Sequence, residues 1–384
     1  MADGPRSVQP AEFDSLMDLV DTVFKGGQPG TMLAEYPHLF NADNVQNLHV
    51  IAEDGKIVSH VGTTIQNAVF LGCSLRVGNV GAVSTHPDYR GRGYAGGCFQ
   101  HACSEAHAQG VDLMLISGDR RLYRDAGCRP VGLDKEFTIT RSAAGALNTS
   151  AGSEAISVER FSQEHLPAIR RLYENEPVRY LRPLEEWQMV IREEKTTQHN
   201  SRLWVVRRNG NIAAYAGMYP PRQNRTAVIE EFAGDRSALI GGLYELMNLN
   251  ELDALDIHVQ SYDLALLSFL GSLGKGRAVP ASGTQLLINF PQMMGRLRPL
   301  MEERIGTAEA SKLSFTADND QYVFAYEGDP VVTTSRAGAI QLIFGAQEPP
   351  EWEWSTDGGA SVRGQEALRG IFPIPALVYG FSYV

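Results

Sequence analysis

The sequence is poor in cysteine and has no long apolar run, and each shortage excludes a class of protein. Its four cysteines, Cys73, Cys98, Cys103 and Cys128, show no CxxC spacing and have no histidine beside them in a metal-ligand pattern. Buried free thiols are expected, not a disulfide framework or a metal site. No apolar stretch approaches the ~20 residues needed to span a bilayer. The opening segment, MADGPRSVQPAEF, lacks the apolar core of a secretory signal, so the expected compartment is the cytoplasm. Basic residues are in deficit: 34 Lys and Arg stand against 45 Asp and Glu, a net charge of −11. That balance argues against nucleic acid or an anionic membrane as the main partner and is compatible with a cationic one.

What is present is the composition of a globular protein, 43% hydrophobic and 21% charged. At 384 residues the chain exceeds one ordinary core, so two or three domains are expected. Phe13, Leu16, Met17, Val20, Val23 and Phe24 follow a helical stripe. Two strand-like runs, Leu48–Ala52 and Lys56–Gln66, flank Asp54-Gly55, a strong hairpin signal. A third run, Leu75–Thr85, ends at His86-Pro87, and the apolar strand Leu113–Ile116 follows a helix. Residues 141–153, RSAAGALNTSAGS, read as a linker. Beyond them the order of helices and strands partly repeats, with strands at Leu203–Arg208, Ile212–Met218, Thr226–Phe232 and Ala254–Val259 but no glycine turn. From about Phe290 a third unit begins, with a helix at Met293–Arg304, strands near Lys312–Thr316 and Gln321–Tyr326, and an aromatic ending, PIPALVYGFSYV.

The chemistry is concentrated in Val80-Gly-Ala-Val-Ser-Thr-His-Pro-Asp-Tyr-Arg90-Gly-Arg-Gly-Tyr-Ala-Gly-Gly97, where a strand leads through a glycine-rich turn into a helix. Ala95, Cys98, Phe99, Ala102, Cys103 and Ala106 recur at helical spacing. A glycine turn at a helix N-terminus aims several backbone N–H groups and the positive end of the helix dipole at one point, which suits a pyrophosphate. Gly91 and Gly93 free the backbone to bend, and Arg90 and Arg92 add charge-assisted contacts. The spacing Gly91-Arg92-Gly93-Tyr94-Ala95-Gly96 misses the dinucleotide-binding fingerprint, and the Gly-Lys-Ser/Thr of a P-loop is absent.

This stretch resembles the GNAT superfamily of N-acetyltransferases, whose pattern Arg/Gln-x-x-Gly-x-Gly/Ala matches Arg90, Gly93 and Ala95. A second match follows at Leu122-Tyr123-Arg-Asp-Ala-Gly127-Cys-Arg-Pro-Val-Gly132, similar to the segment that closes the family's cofactor cleft. These motifs cover roughly residues 10–140. The whole layout is similar to the enhanced-intracellular-survival type, and support there comes from domain order and the C-terminus. That resemblance implies an α/β (α+β) fold of tandem GNAT-like mixed sheets with flanking helices and a sterol-carrier-protein-like C-terminal domain. The implied divisions are residues 1–140, 154–288 and 289–384. It also implies acetyl-CoA as co-substrate, a small-molecule or peptide amine as acceptor, no metal, and a homo-oligomer.

The resemblance also assigns roles. Backbone groups of Val83, Ser84 and Thr85 pair with the pantetheine arm, and Arg90, Gly91, Arg92, Gly93, Tyr94 and Ala95 hold the phosphates. Tyr123 is placed near the thioester sulfur as general acid, the plainer alternative being a ring packed on the cofactor. The terminal carboxylate of Val384 is the expected base; an α-carboxyl titrates near ~3.5 in water and desolvation raises it. The plainer alternative is a terminal strand that completes a sheet. Asp119 reads as a solvated loop residue, at most one of Glu230 and Glu231 can face an acceptor, and His86, His101 and His107 read as surface or loop histidines. A reading from another class is an acyl-CoA-binding sensor without turnover.

Overall fold

The computed structural model describes residues 2–150, 155–355 and 358–384. The chain forms two compact units. The first comprises residues up to Gly132, then Pro280–Leu377 and Val384; the second comprises Leu133–Val279 and Val378–Tyr383.

The sheet of the first unit begins with β1 (Ala2–Ser7), β2 (Leu48–Glu53), β3 (Lys56–Phe70), β4 (Cys73–Thr85) and β5 (Leu113–Ile116), side by side in that order. All neighbours are antiparallel except β4 and β5. Asp54 and Gly55 have φ of 50° and 76°, which gives the β2–β3 hairpin the turn its sequence predicts. Leu71 and Gly72 repeat this geometry between β3 and β4 at φ 49° and 87°. β3 therefore runs on to Phe70, past the expected end at Gln66. The helix Tyr94–Ala108 buries Cys98, Phe99, Ala102 and Ala106, much as the spacing predicts. The helix Phe13–Lys25 buries Leu16, Met17, Leu19 and Val20 but leaves Phe24 exposed.

β5 has a further neighbour on its other side, the antiparallel strand Thr284–Leu287. Conversely, strand Asp134–Thr140 pairs with Ala254–Val259 in the second unit. The expected boundaries at 140 and 288 thus fall where strands belong to the sheet of the other unit, because edge pairing and not position in the chain decides membership. After Thr284–Leu287 come helices Phe290–Arg296 and Arg298–Ile305, where a single helix was expected. Pro299 lacks the N–H that a continuous helix would need there. A three-stranded antiparallel sheet follows (Leu313–Asp318, Gln321–Tyr326, Asp329–Thr334), with helices Arg336–Phe344 and Gly358–Ile371.

The second unit repeats the plan of the first. Its strands Arg202–Arg208, Asn211–Met218 and Thr226–Gly234 are antiparallel neighbours, and Thr226–Gly234 runs parallel to Ala254–Val259. The expected linker is a helix as far as it is described, Arg141–Ser150, with Ala144 buried and Leu147 nearly so in the core of this unit. Its alanines have high helix propensity, and Thr140 Oγ1 accepts the Ala143 N–H at its start. Residues 151–153 of that expectation lie outside the described residues. Among the described residues no helix is long and apolar enough to cross a membrane.

Candidate active site

β4 and β5 pair only over Val77–Val80 and Leu113–Ile116; beyond Val80, β4 continues to Thr85 without β5 beside it. At this point β4 carries one residue more than β3 between Gly81 and Ser84, a bulge, and Ala82 takes a left-handed φ of 51°. His60 on β3 holds the bulge. Its Nδ1 lies 2.9 Å from the Ala82 carbonyl oxygen, and burial lowers its pKa to about 4, so the neutral ring donates from Nδ1. Beyond the bulge, Ser59 Oγ donates to the Ser84 carbonyl at 3.1 Å and lies 2.9 Å from Thr85 Oγ1.

The released end of β4 forms one wall of a cleft of about 520 Å³. Val83, Ser84, Thr85, Arg90, Gly91, Gly93, Tyr94 and Ala95 all line it. Gly91 and Gly93 both have φ of 80°, which an L side chain rarely adopts. Gly93 is the N-cap of helix Tyr94–Ala108, and among the described residues no side chain caps that end. Its first N–H groups are therefore left for a ligand, and a Cβ built on Gly91 or Gly93 would meet no protein atom within 4 Å. These features fit the phosphates of a coenzyme A thioester.

Arg92 departs from the expectation. It does not line the cleft; its guanidinium lies 3.2 Å from Glu53 of β2 and 4.8 Å from the centre of the Tyr89 ring. The Tyr94 hydroxyl also donates to Glu53. The cleft adds residues that sequence reasoning missed: Val23 and Phe24, Tyr89, Gly96, Arg120 and Leu122. For Phe24 the signal was there, since it is the large apolar residue at the end of the helical stripe that the core leaves out.

Tyr123 sits on the short helix Arg121–Asp125, only 3% exposed, its ring 5.3 Å from that of Phe99. Gly118 makes room for it: a Cβ there would stand 3.1 Å from Tyr123 Cε2. Burial raises the phenol's pKa, with the Arg120 charge acting in the opposite sense. Tyr123 does not itself line the cleft, though its neighbours Arg120 and Leu122 do. Val384 is 5% exposed and packs among Leu39, Phe40, Leu48 and Val50. It rests against Gly81, so that a Cβ there would stand 2.5 Å from the Val384 carboxyl carbon. Gly81 directly follows the last β4 residue paired with β5, so Val384 marks the point where the strands part.

The remaining candidates have other occupations. Asp119 pairs with Arg124 at 2.5 Å, and His86 Nδ1 accepts the Asp88 N–H at 3.3 Å in a turn. His101 faces the buried His49 with ring centres 5.1 Å apart. His107 lies in the last turn of its helix. In the second unit, Glu230 pairs with His199 at 2.8 Å, and Glu231 is enclosed by Arg182, Tyr215 and the Phe381 N–H. Among the described residues no group of His, Cys, Asp or Glu has the arrangement of a metal site. Burial pushes the Cys98 and Cys103 thiols up to about 12, which makes them inert.

The second unit has the same parting of strands, with a bulge at Glu230, but a differently built helix start. Its helix Arg236–Leu249 follows the strand without a glycine turn, and Asp235 caps it, accepting the Ala238 N–H at 2.8 Å. A carboxylate already occupies the place where an anionic ligand would bind.

Residues 5–131 match the family model of the acetyltransferase (GNAT) domain. No curated protein matches the chain by sequence at a significant level. Solved structures match over nearly the whole chain. A probable N-acyltransferase from Enterococcus faecalis is 12% identical at a TM-score of 0.65, covering 98% of each chain. A GCN5-related N-acetyltransferase from Anabaena variabilis is 14% identical at 0.62, covering 98% of this chain and 97% of that one. Eis1 from Mycobacterium abscessus is 12% identical at 0.62, covering all of both. At such identities the likeness is one of fold. Residues 5–131 thus match a GNAT acetyltransferase domain, and the chain shares its fold along its length with these solved structures.

Proposed function

We propose that the protein moves an acetyl group from acetyl-CoA to a primary amine of a small molecule or peptide by direct attack. The observation that carries this reading is the cleft, which joins a strand end freed from its neighbour to an uncapped helix N-terminus behind left-handed glycines. In this reading Val83, Ser84 and Thr85 hold the pantetheine arm by their backbone. Arg90, Gly91, Gly93, Tyr94 and Ala95 hold the phosphates, and Arg92 supports the turn through Glu53. The amine nitrogen bonds to the thioester carbonyl carbon and the carbon–sulfur bond breaks. The Val384 carboxylate takes the proton from the ammonium, and Tyr123 gives its proton to the departing thiolate. A phenol titrates near ~10 and burial moves Tyr123 further up, so it has a proton to give at neutral pH. The second unit serves as a degenerate copy, and the reading carries with it a cytoplasmic homo-oligomer.

The test is acetyl-CoA turnover, followed as free thiol release, against polyamines, aminoglycosides and lysine peptides. Amine-dependent release is expected for wild type. Tyr123→Phe keeps the ring against Phe99 and is expected to lower kcat by roughly 10²–10⁴-fold, with acetyl-CoA affinity unchanged; loss of Val384 is expected to act likewise. Tight binding of acetyl-CoA without release toward any amine would instead favour the sensor.

A further inference from the structure

The phosphates of a coenzyme A thioester need cationic partners, and the structure leaves one of the expected pair engaged elsewhere. Arg92 is bound to Glu53 and stacked on Tyr89, outside the cleft lining. Arg120 stands in the opposite situation. It lines the cleft, is exposed, and caps the short helix Arg121–Asp125 with extended backbone and no side-chain bond to it. The neighbouring arginines are all paired: Arg121 with Asp125 at 3.3 Å, Arg124 with Asp119 and Glu348 at 2.5 Å, and Arg129 with Glu351. Among the described residues Arg120 alone of this run has no carboxylate partner. Leu122, two residues on, lies 3.7 Å from where a Cβ on Gly96 would stand, so this helix packs directly on the first turn of helix Tyr94–Ala108. A free guanidinium lining the same cleft as the uncapped N–H groups is a second donor set for the same anion.

We infer that Arg120 is a binding residue for the phosphates of the acyl donor, in the part the sequence pattern gives to Arg92. This rests on the reading of the cleft as a coenzyme A site. It differs from that reading in a residue outside the glycine turn and outside the family pattern.

The experiment measures binding of coenzyme A and of pantetheine, which has no phosphate, to the full chain by calorimetry or competition. The proteins are wild type, Arg120→Ala and Arg121→Ala. Arg121 has the same charge but is paired and points to solvent, its side chain 93% exposed. Removing a charge-assisted contact is expected to weaken coenzyme A binding roughly ten- to hundred-fold in Arg120→Ala. Pantetheine binding should be unchanged in that variant, and both ligands unchanged in Arg121→Ala. Coenzyme A binding within two-fold of wild type in Arg120→Ala overturns the inference while leaving the cleft reading intact. Equal weakening for pantetheine also overturns it, since Arg120 would then act away from the phosphates. Absence of coenzyme A binding by wild type overturns the cleft reading itself.

Discussion

Gly81→Ala is a selective perturbation of the proposed base, because the three atoms nearest the new Cβ all belong to Val384 and Gly81 itself does not line the cleft. The φ of Gly81 is not in the left-handed region, so alanine meets no backbone strain. The obstacle is steric: the new Cβ would lie 2.5 Å from the Val384 carboxyl carbon and 2.8 Å from its Cβ and Cγ2. Carbon atoms in ordinary contact are about 3.5–4.0 Å apart, so the terminal residue must retreat by about 1 Å. A displacement of that size in a catalytic group costs on the order of a hundredfold in rate. Overpacking itself costs about 1–3 kcal/mol of stability. The expected outcome is kcat lowered about 10²-fold, KM for acetyl-CoA little changed, and a folded protein by thermal unfolding. Gly97→Ala is the control: its Cβ would meet only Ile51 and Pro5 side-chain atoms at 3.7 and 3.9 Å, and alanine favours the helix. A folded Gly81→Ala protein that keeps wild-type kcat would refute the terminal-base argument, whatever Gly97→Ala does.

Two further outcomes concern stability. Folding lowers the His60 pKa from 6.5 to about 4, so between these values the unfolded chain binds a proton that the folded one does not. Its contribution is complete above pH 6.5 and is lost as pH falls toward 4, about 2 kcal/mol of it between pH 7 and pH 5. Urea unfolding at the two pH values should show this loss reduced by that amount in His60→Gln; an identical loss in both proteins would refute it. Arg182 is fully buried with Glu231, so Glu231→Ala, which leaves that charge only the longer 3.9 Å pair with Glu186, should cost about 3–5 kcal/mol. Arg121→Ala, which breaks an exposed pair, should cost less than about 1 kcal/mol in the same melts. Equal melting of the two variants would mean that the buried pair is not what holds Glu231 in place.

The cleft was legible because its chemistry lies in a local pattern. A glycine turn between an apolar strand and a helix with period 3.6 needs no distant partner to be recognised, and its residues other than Arg92 line the cleft. Arg92 and Arg120 could not be told apart that way, since the side chain that captures Arg92 is Glu53, far away in the sequence on β2. The bulge at Ala82 was equally hidden, because an alanine at φ 51° carries no turn signal and is held by His60 on the neighbouring strand. The helix Arg141–Ser150 was misread for a different reason: small polar residues describe a linker as well as a helix until Ala144 and Leu147 find a core. One of the adjacent Glu230 and Glu231 could have faced an acceptor, yet each already has a partner in the fold, His199 or Arg182.

The placement of strand Thr284–Leu287 beside β5 also bears on how the chain is made. Leu113–Ile116 is apolar throughout and wholly buried, yet during synthesis its outer edge stays open until the ribosome has passed Leu287. Residues Leu133–Val279 of the second unit are translated in that interval, on the order of ten seconds or more at bacterial or eukaryotic elongation rates. An open apolar strand edge is a template for pairing with other chains. Truncation after Gly132 would make that exposure permanent, so the GNAT domain expressed alone should aggregate where the full chain stays dispersed.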